Sequence, residues 1–232
     1  YSNIVGLNEH AAVLHYQYKD RIAPKQHRTL LVDGGAVYQG YVADITRTVS
    51  QGNQDFQALL AAMDRAQPSL VDSIRPGVSF LSLHETMHQQ LFQILADAGI
   101  IKRSDLLDQS AALSITRTFY PHGLGHLLGI QVHDIGGWQQ DREGCLQNPP
   151  DAHPFLRLTR TLQENMVVTI EPGLYFIPQL LNQLKSTSVS DYIDWPLVDT
   201  MVPWGGIRIE DNVCVTANGV ENYTRDAFNR LK

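Results

Sequence analysis

Residues 29–49 read TLLVDGGAVYQGYVADITRTV, and this stretch decides the fold. Residues 29–37 and 41–49 are rich in β-branched and aromatic side chains, and the short link Tyr38-Gln39-Gly40 between them reads as a hairpin turn. With the turn centred between Tyr38 and Gln39, residues placed symmetrically about that centre face each other, which sets Asp33 against Asp44. Directly opposed residues of an antiparallel pair have β-carbons about 4.5–5.5 Å apart, and like charges at that distance destabilise the pair unless something compensates. A cation is the natural compensation, and two divalent ions about 3.5–4 Å apart would be clamped well by such carboxylates. The alternative is turn chemistry for Asp33 in Asp33-Gly34-Gly35 together with an Asp44–Arg47 pair. The hairpin alone leaves the two readings level.

Outward from the hairpin, apolar residues recur at helical spacing over residues 55–74, stopped by Pro76-Gly77, and over residues 81–98, stopped by Gly99. Residues 114–134 are crowded with glycine and histidine, and residues 136–154 carry the Gly, Pro and Asp of irregular structure. Residues 1–6, 166–170 and 207–215 read as strands. Residues 177–204, with several prolines and polar runs, are expected to form a long surface excursion. Strands flanking a central helical block give an α+β class with a mostly antiparallel sheet. No repeat or linker divides the chain, so residues 1–232 are read as one domain.

A chain of 232 residues builds a core that needs no disulfide or metal staple, so a metal here would serve chemistry. The formal net charge of −6, with no cluster of Lys or Arg, argues against a nucleic-acid or anionic-membrane partner. Two cysteines, Cys145 and Cys214, suit a reducing compartment better than a disulfide framework, and the cytoplasm is the expected location. No run approaches the roughly 18–20 apolar residues of a membrane span, and no basic-then-apolar signal opens the chain. The start at Tyr1 instead of Met, already in strand-like sequence, suggests a fragment of a longer protein.

Three further clusters carry chemistry. Residues 121–134 (PHGLGHLLGIQVHD) hold His122, His126 and His133. A lone histidine is more often a surface or satisfied core residue, but three in so short a span, two of them separated by Gly-Leu-Gly, point to a site, with the glycines allowing backbone to approach something bound. One as ligand and two as donors to substrate is a natural division. In Thr169-Ile170-Glu171-Pro172-Gly173 and in Gly206-Ile207-Arg208-Ile209-Glu210-Asp211, a glutamate follows a β-branched apolar residue where an ionised carboxylate needs a partner. The plainer readings are an Arg208–Glu210 pair on one strand face and a strand-end Glu171 before a turn. Together, four carboxylates and one imidazole suit manganese, cobalt or zinc better than copper or an iron–sulfur cluster.

At these residues the chain resembles the pita-bread (creatinase/aminopeptidase) metallopeptidases and, among them, the bacterial prolidases, or Xaa-Pro dipeptidases. The resemblance is carried by LNEHAAVLHY (7–16), LLVDGGAVYQGYVADITRT (30–48), FYPHGLGHLLGIQVHDIGG (119–137), HPFLRLTR (153–160), TIEPGLYF (169–176) and GGIRIEDN (205–212). It implies a curved antiparallel sheet flanked by helices and built from two related halves. It also implies two divalent ions, manganese first with cobalt or zinc as alternatives, held by Asp33, Asp44, His126, Glu171 and Glu210. Hydrolysis of small peptides before a C-terminal proline is the implied reaction, with Glu171 as general base and His122 or His133 at the carbonyl oxygen. Arg157, with His15, is implied to hold the proline carboxylate, and Arg208 to meet substrate or orient a ligand carboxylate. Prolidases carry an N-terminal domain that has no counterpart here and that bears on pocket closure and on a homodimer of the full-length protein. Phe80 stands where a subgroup noted for organophosphate hydrolysis has Tyr. The rival readings are an aminopeptidase P or methionine aminopeptidase of the same fold, a metal-free binding module on this scaffold, which should have lost ligands, and an inactive fragment.

Overall fold

The computed structural model describes residues 2–231. The hairpin forms from β2 (Thr29–Gly34), β3 (Val37–Tyr38), β4 (Tyr41–Val42) and β5 (Ile45–Ser50). Its turn is the two-residue Gln39-Gly40, with φ of +50° and +86°, the mirror-image type whose twist matches that of the flanking strands. Tyr38 therefore pairs with Tyr41, and Asp33 with Thr46. This corrects the expected direct opposition of Asp33 and Asp44. Moving the turn centre by one residue shifts the register by two, and a shift of two keeps every side chain on its own face. Asp44 thus stands diagonal to Asp33 instead of opposite it.

β2 is central to a sheet in the order β1-β2-β5, where β1 is Ile4–Leu7. A second three-stranded sheet, β10-β9-β6, uses β6 (Val167–Ile170), β9 (Asp211–Thr216) and β10 (Gly219–Asn222). A short pair joins β7 (Gly173–Tyr175) to β8 (Gly206–Arg208). Every pairing is antiparallel. A bridge between Thr46 and Glu210 ties the first half of the chain to the second, so the strand ends that carry acidic residues meet there.

Helices α1 (Gln54–Val71) and α2 (Phe80–Asp97) follow the first sheet. The Asn53 side chain caps α1 by accepting from Phe56 N at 2.9 Å. Phe56, Leu59, Met63, Ala66 and Leu70 of α1, and Phe80, Leu83, Met87, Leu91 and Leu95 of α2, bury one stripe of each helix in the common core. Phe80 is wholly buried in that core. Helix α3 (Gln109–Phe119) starts at an Asp108 cap. Residues 177–204 are not a surface excursion. They form α4 (Pro178–Lys185) and α5 (Trp195–Met201), which bury Leu181, Leu184, Val198 and Met201, and the link between them buries Ile193. Pro178 and Pro196, which suggested a loop, lie in the first turns of these helices, where a missing N–H costs nothing. No helix of the described residues is long and apolar enough to cross a membrane.

Asp211, at the start of β9, has no solvent-exposed side-chain surface and is gripped by Arg47 at 2.6 Å, Arg225 at 2.8 Å and Asn222 at 2.9 Å. Arg47, once weighed as the partner of Asp44, is thus engaged elsewhere. Burial alone would raise the Asp211 pKa, but Arg47, Asn222 and Arg225 outweigh it and hold the carboxyl below its usual range. A depressed folded-state pKa contributes stability that is complete above the unfolded value of about 3.9 and is lost as pH falls through the folded value. Asp211→Asn is expected to lower unfolding stability by about 3 kcal/mol at neutral pH. In urea titrations this deficit should shrink as the pH drops below about 4.

Candidate metal centre

Five chain segments bring acidic groups and one imidazole to the floor of a cleft of about 930 Å³. Asp33 comes from the end of β2, Asp44 from the link between β4 and β5, and His126 from the glycine-rich loop after α3. Glu171 follows β6, and Glu210 lies between β8 and β9. Donor atoms of Asp33, Asp44 and Glu210 lie within 4.8 Å of one another, as do those of His126, Glu171 and Glu210, and those of Asp44, His126 and His133. The three groups share members, so they form one continuous centre with room for more than one ion.

Four of the five ligand candidates are braced from behind. Asn212 accepts from Asp44 N at 3.0 Å and donates to Asp44 O. Thr46 Oγ1 donates to Glu210 Oε2 at 2.6 Å and accepts from Arg208 Nε at 3.2 Å. Arg208 is 4% exposed, ion-pairs with Asp33 and donates to the Tyr175 hydroxyl at 3.2 Å. Its guanidinium lines the cleft but is turned to Asp33, an orienting position. The Arg208–Glu210 pair weighed from sequence is replaced by this Arg208–Asp33 pair.

His126 is oriented by Nδ1, which donates to Leu127 O at 2.9 Å. Nε2 then faces Asp44 Oδ2, 3.5 Å away, and Glu171 Oε1, 3.6 Å away, and is the nitrogen available to a metal ion. Such an anchored tautomer is how protein metal ligands are usually fixed. The loop reaches this position because Gly125 packs directly on β6. A β-carbon at Gly125 would lie 2.0 Å from Thr169 O. The close approach expected of these glycines is therefore to protein backbone.

The electrostatics are those of a cation site. Burial, then repulsion from Glu171, Asp44 and Asp33, lifts the Glu210 carboxyl well above the carboxylate range. Burial also pushes Glu171 up to about 7, against the pull of His126 and Arg208. Asp33 is raised by burial in spite of Arg208. For His126, burial opposes the charged form, but Asp44 and Glu171 outweigh it and raise the pKa. Four crowded oxygen donors and one imidazole lone pair fit divalent cations of the hard to borderline class.

The remaining sequence-predicted residues line the same cleft: His15, His122, His133, Arg157 and Arg208. Both ring nitrogens of His122 are engaged, Nδ1 with Gly123 O at 2.8 Å and Nε2 with the Tyr175 hydroxyl at 2.9 Å. Burial and Arg208 depress its pKa to about 3. His133 is exposed, packs edge-on to His126 and is pulled down to about 4 by burial, His126 and Arg157. His15 is lowered by burial, Arg208 and Arg157. Arg157 is exposed, with no ion-pair partner among the described residues. The supporting groups Thr46, Asn212 and Tyr175 were not anticipated. Thr46 and Asn212 each lie two residues from a named carboxylate, on the same strand face by the period of two, and that signal was available.

A fully antiparallel, curved framework with an acidic centre on its inner side is the pita-bread architecture of metallopeptidases. The chain matches the model of metallopeptidase family M24 over residues 1–217 and belongs to that family. It is 49% identical over 228 residues to a Xaa-Pro dipeptidase of Shewanella loihica, covering 97% of this chain and 51% of that protein. It is 48% identical over 229 residues to a Xaa-Pro dipeptidase of Stenotrophomonas maltophilia, covering 98% and 51%. The chain thus spans about half the length of the curated relatives it matches. Among solved structures, zinc-substituted Escherichia coli aminopeptidase P in complex with product gives a TM-score of 0.73 at 30% identity, over 97% of this chain and 44% of that one. Proline aminopeptidase P II from Yersinia pestis gives 0.71 at 28% identity, over 97% and 45%.

Two outcomes follow from the geometry. Gly125→Ala is expected to displace the His126 loop, lowering both the melting temperature and the bound-metal content; calorimetry and plasma emission read the two effects. Because Glu171 and Glu210 hold protons well above the carboxylate range, Mn²⁺ added to the metal-free chain at pH 6 should release protons. That release, followed by calorimetry in buffers of different ionisation enthalpy, should fall as the pH rises past about 7, where Glu171 ionises unaided.

Proposed function

We propose that residues 1–232 form the catalytic domain of a Xaa-Pro dipeptidase that hydrolyses small peptides before a C-terminal proline. Two divalent ions, Mn²⁺ first with Co²⁺ or Zn²⁺ as alternatives, would be held by Asp33, Asp44, His126, Glu171 and Glu210. The carrying observation is the convergence of those five groups at the floor of a cleft that also contains Arg157. When bound, such ions supply Lewis acidity and make water acidic enough to attack near neutral pH.

The chain's own residues do the rest. Glu171, at the floor of the cleft within reach of His126 and Glu210, is placed to accept a proton from the attacking water and return it to the leaving proline nitrogen. His133 has no hydrogen bond to its ring among the described residues, so it is better placed than the doubly engaged His122 to donate to the carbonyl oxygen as charge develops there. His122, with Tyr175, is then a positioning pair beside Glu171, 3.8 Å away. Arg157, with His15 nearby in the cleft, offers a guanidinium fork for the proline carboxylate. Val132, Trp138, Phe155 and Ile177 give an apolar wall for the substrate's side chain and ring. The same reading makes the protein cytoplasmic, consistent with two free cysteines, and a homodimer at full length.

A second reading has structural support, since the solved relatives named above are aminopeptidases P, and Escherichia coli aminopeptidase P has been solved with the inhibitor Pro-Leu. Turnover of a Xaa-Pro dipeptide well above that of the matching Xaa-Pro-Xaa tripeptide is the expected result, and the reverse order would favour aminopeptidase P. Asp44→Asn and Glu210→Gln should each lose at least one metal equivalent and nearly all turnover. Arg157→Ala should raise KM for Gly-Pro by about 10–100-fold, with metal content unchanged.

A further inference from the structure

His84 and His88 of α2 and His153 form a second, separate cluster behind the cleft, each at least 94% buried. Helical spacing of four puts His84 and His88 on one face, and His153 reaches them from the loop between α3 and β6. His84 Nε2 lies 3.0 Å from His153 Nδ1 and 3.2 Å from His88 Nε2. Two of the ring pairs are almost perpendicular, at 90° and 86°.

With the Thr116 hydroxyl proton on Leu113 O, the three rings cannot all satisfy one another. When Thr116 Oγ1 donates to Leu113 O at 3.2 Å it is free to accept from His88 Nδ1 at 2.9 Å, and in that tautomer His88 Nε2 is left as a lone pair. His84 Nδ1 is buried with no hydrogen-bond partner among the described residues, so nothing draws the ring's single proton to that side. A proton on His84 Nε2 serves one neighbour, and one short N···N contact is left with no proton between its atoms. Burial keeps the rings neutral, with His84 pushed down to about 2 and His88 to about 3.

We propose that His84 Nε2, His88 Nε2 and His153 Nδ1 form a binding site for one transition-metal ion of the zinc class, distinct from the carboxylate centre. An ion bonded to three imidazole nitrogens at about 2.0–2.1 Å in tetrahedral geometry sets them roughly 3.3–3.4 Å apart, close to the 3.0 and 3.2 Å that already separate His84 Nε2 from the other two, and all three lie within 4.8 Å of one another. Binding replaces the frustrated contact with three dative bonds, and the His84 proton moves to Nδ1 with no net release. Thr116 orients His88 in the manner of a partner that tunes a metal ligand. The rings line a second cavity of about 400 Å³, which shares His122 and Phe155 with the main cleft and gives the ion an entry path and an open fourth position for water. The donor set is all nitrogen, so it selects Zn²⁺, Ni²⁺ or Cu²⁺ over Mn²⁺ and Mg²⁺. Exposed Arg117, which also lines the cavity, opposes a cation and limits affinity. The site does not depend on the proposed peptidase activity. The Tyr120 ring lies between the cluster and the main cleft, 5.1 Å from His88 and 4.9 Å from His122.

The test loads the metal-free chain with Zn²⁺ alone and compares it with the His88→Asn/His153→Asn double variant. One zinc equivalent fewer in the variant, with Mn²⁺ uptake at the carboxylate centre unchanged, is expected; equal zinc in both overturns the proposal. Should the double variant fail to fold, Thr116→Val in the otherwise intact chain should weaken the corresponding Zn²⁺ step about 10–100-fold, and an unchanged affinity overturns the proposal. X-ray absorption on a chain carrying Asp44→Asn and Glu210→Gln should report one zinc with three imidazoles. A folded chain of that kind that retains no zinc also counts against the site.

Discussion

Repulsion among four buried carboxylates is the constraint around which this molecule is organised. Asp33, Asp44, Glu171 and Glu210 would separate if their backbones were free, and three of them are held from behind by a group that cannot retreat. Arg208 meets Asp33, Asn212 clasps the backbone of Asp44, and Thr46 meets Glu210. Those braces sit on strand residues one or two positions from the acids. The antiparallel sheets therefore serve as rigid mounts for charge, and the helices serve to bury their outer faces.

The same constraint explains the network's directionality. Hydrogen bonds run inward from Arg208 through Thr46 and Tyr175, while Leu127 O engages His126 Nδ1 and leaves Nε2 facing the acids. A site built this way presents acceptors on its inner surface and donors behind them. That polarity suits a positive guest and disfavours a water-filled cavity of neutral groups.

Much of this was legible in the chain because strand period and turn chemistry are local. The hairpin, the two long amphipathic helices and the acidic positions all follow from spacing. The register error came from the turn. Gln at a left-handed position is uncommon, so Tyr38-Gln39-Gly40 did not announce a two-residue loop, yet a slip of two left Asp33 and Asp44 on the correct face. The helices within residues 177–204 were hidden because they are short and open on proline, with too few turns for a clear period. Their Asp194 cap and buried Leu181 and Leu184 become informative only once a core exists for them to cover. The partners of Arg47 and Arg208 lie some 160 to 175 residues away, a separation no local pattern encodes.

The bridge between Thr46 and Glu210 has a mechanical meaning as well. Two acids come from one half of the chain and three ligands from the other, so a bound cation would act as a rivet across the seam between halves. At a free concentration a thousand times its dissociation constant, such an ion adds about 4 kcal/mol to the folded state. Without it, acids that repel each other across the joint make that joint the natural plane of parting. The durability of the whole domain is thereby tied to the metal supply around it.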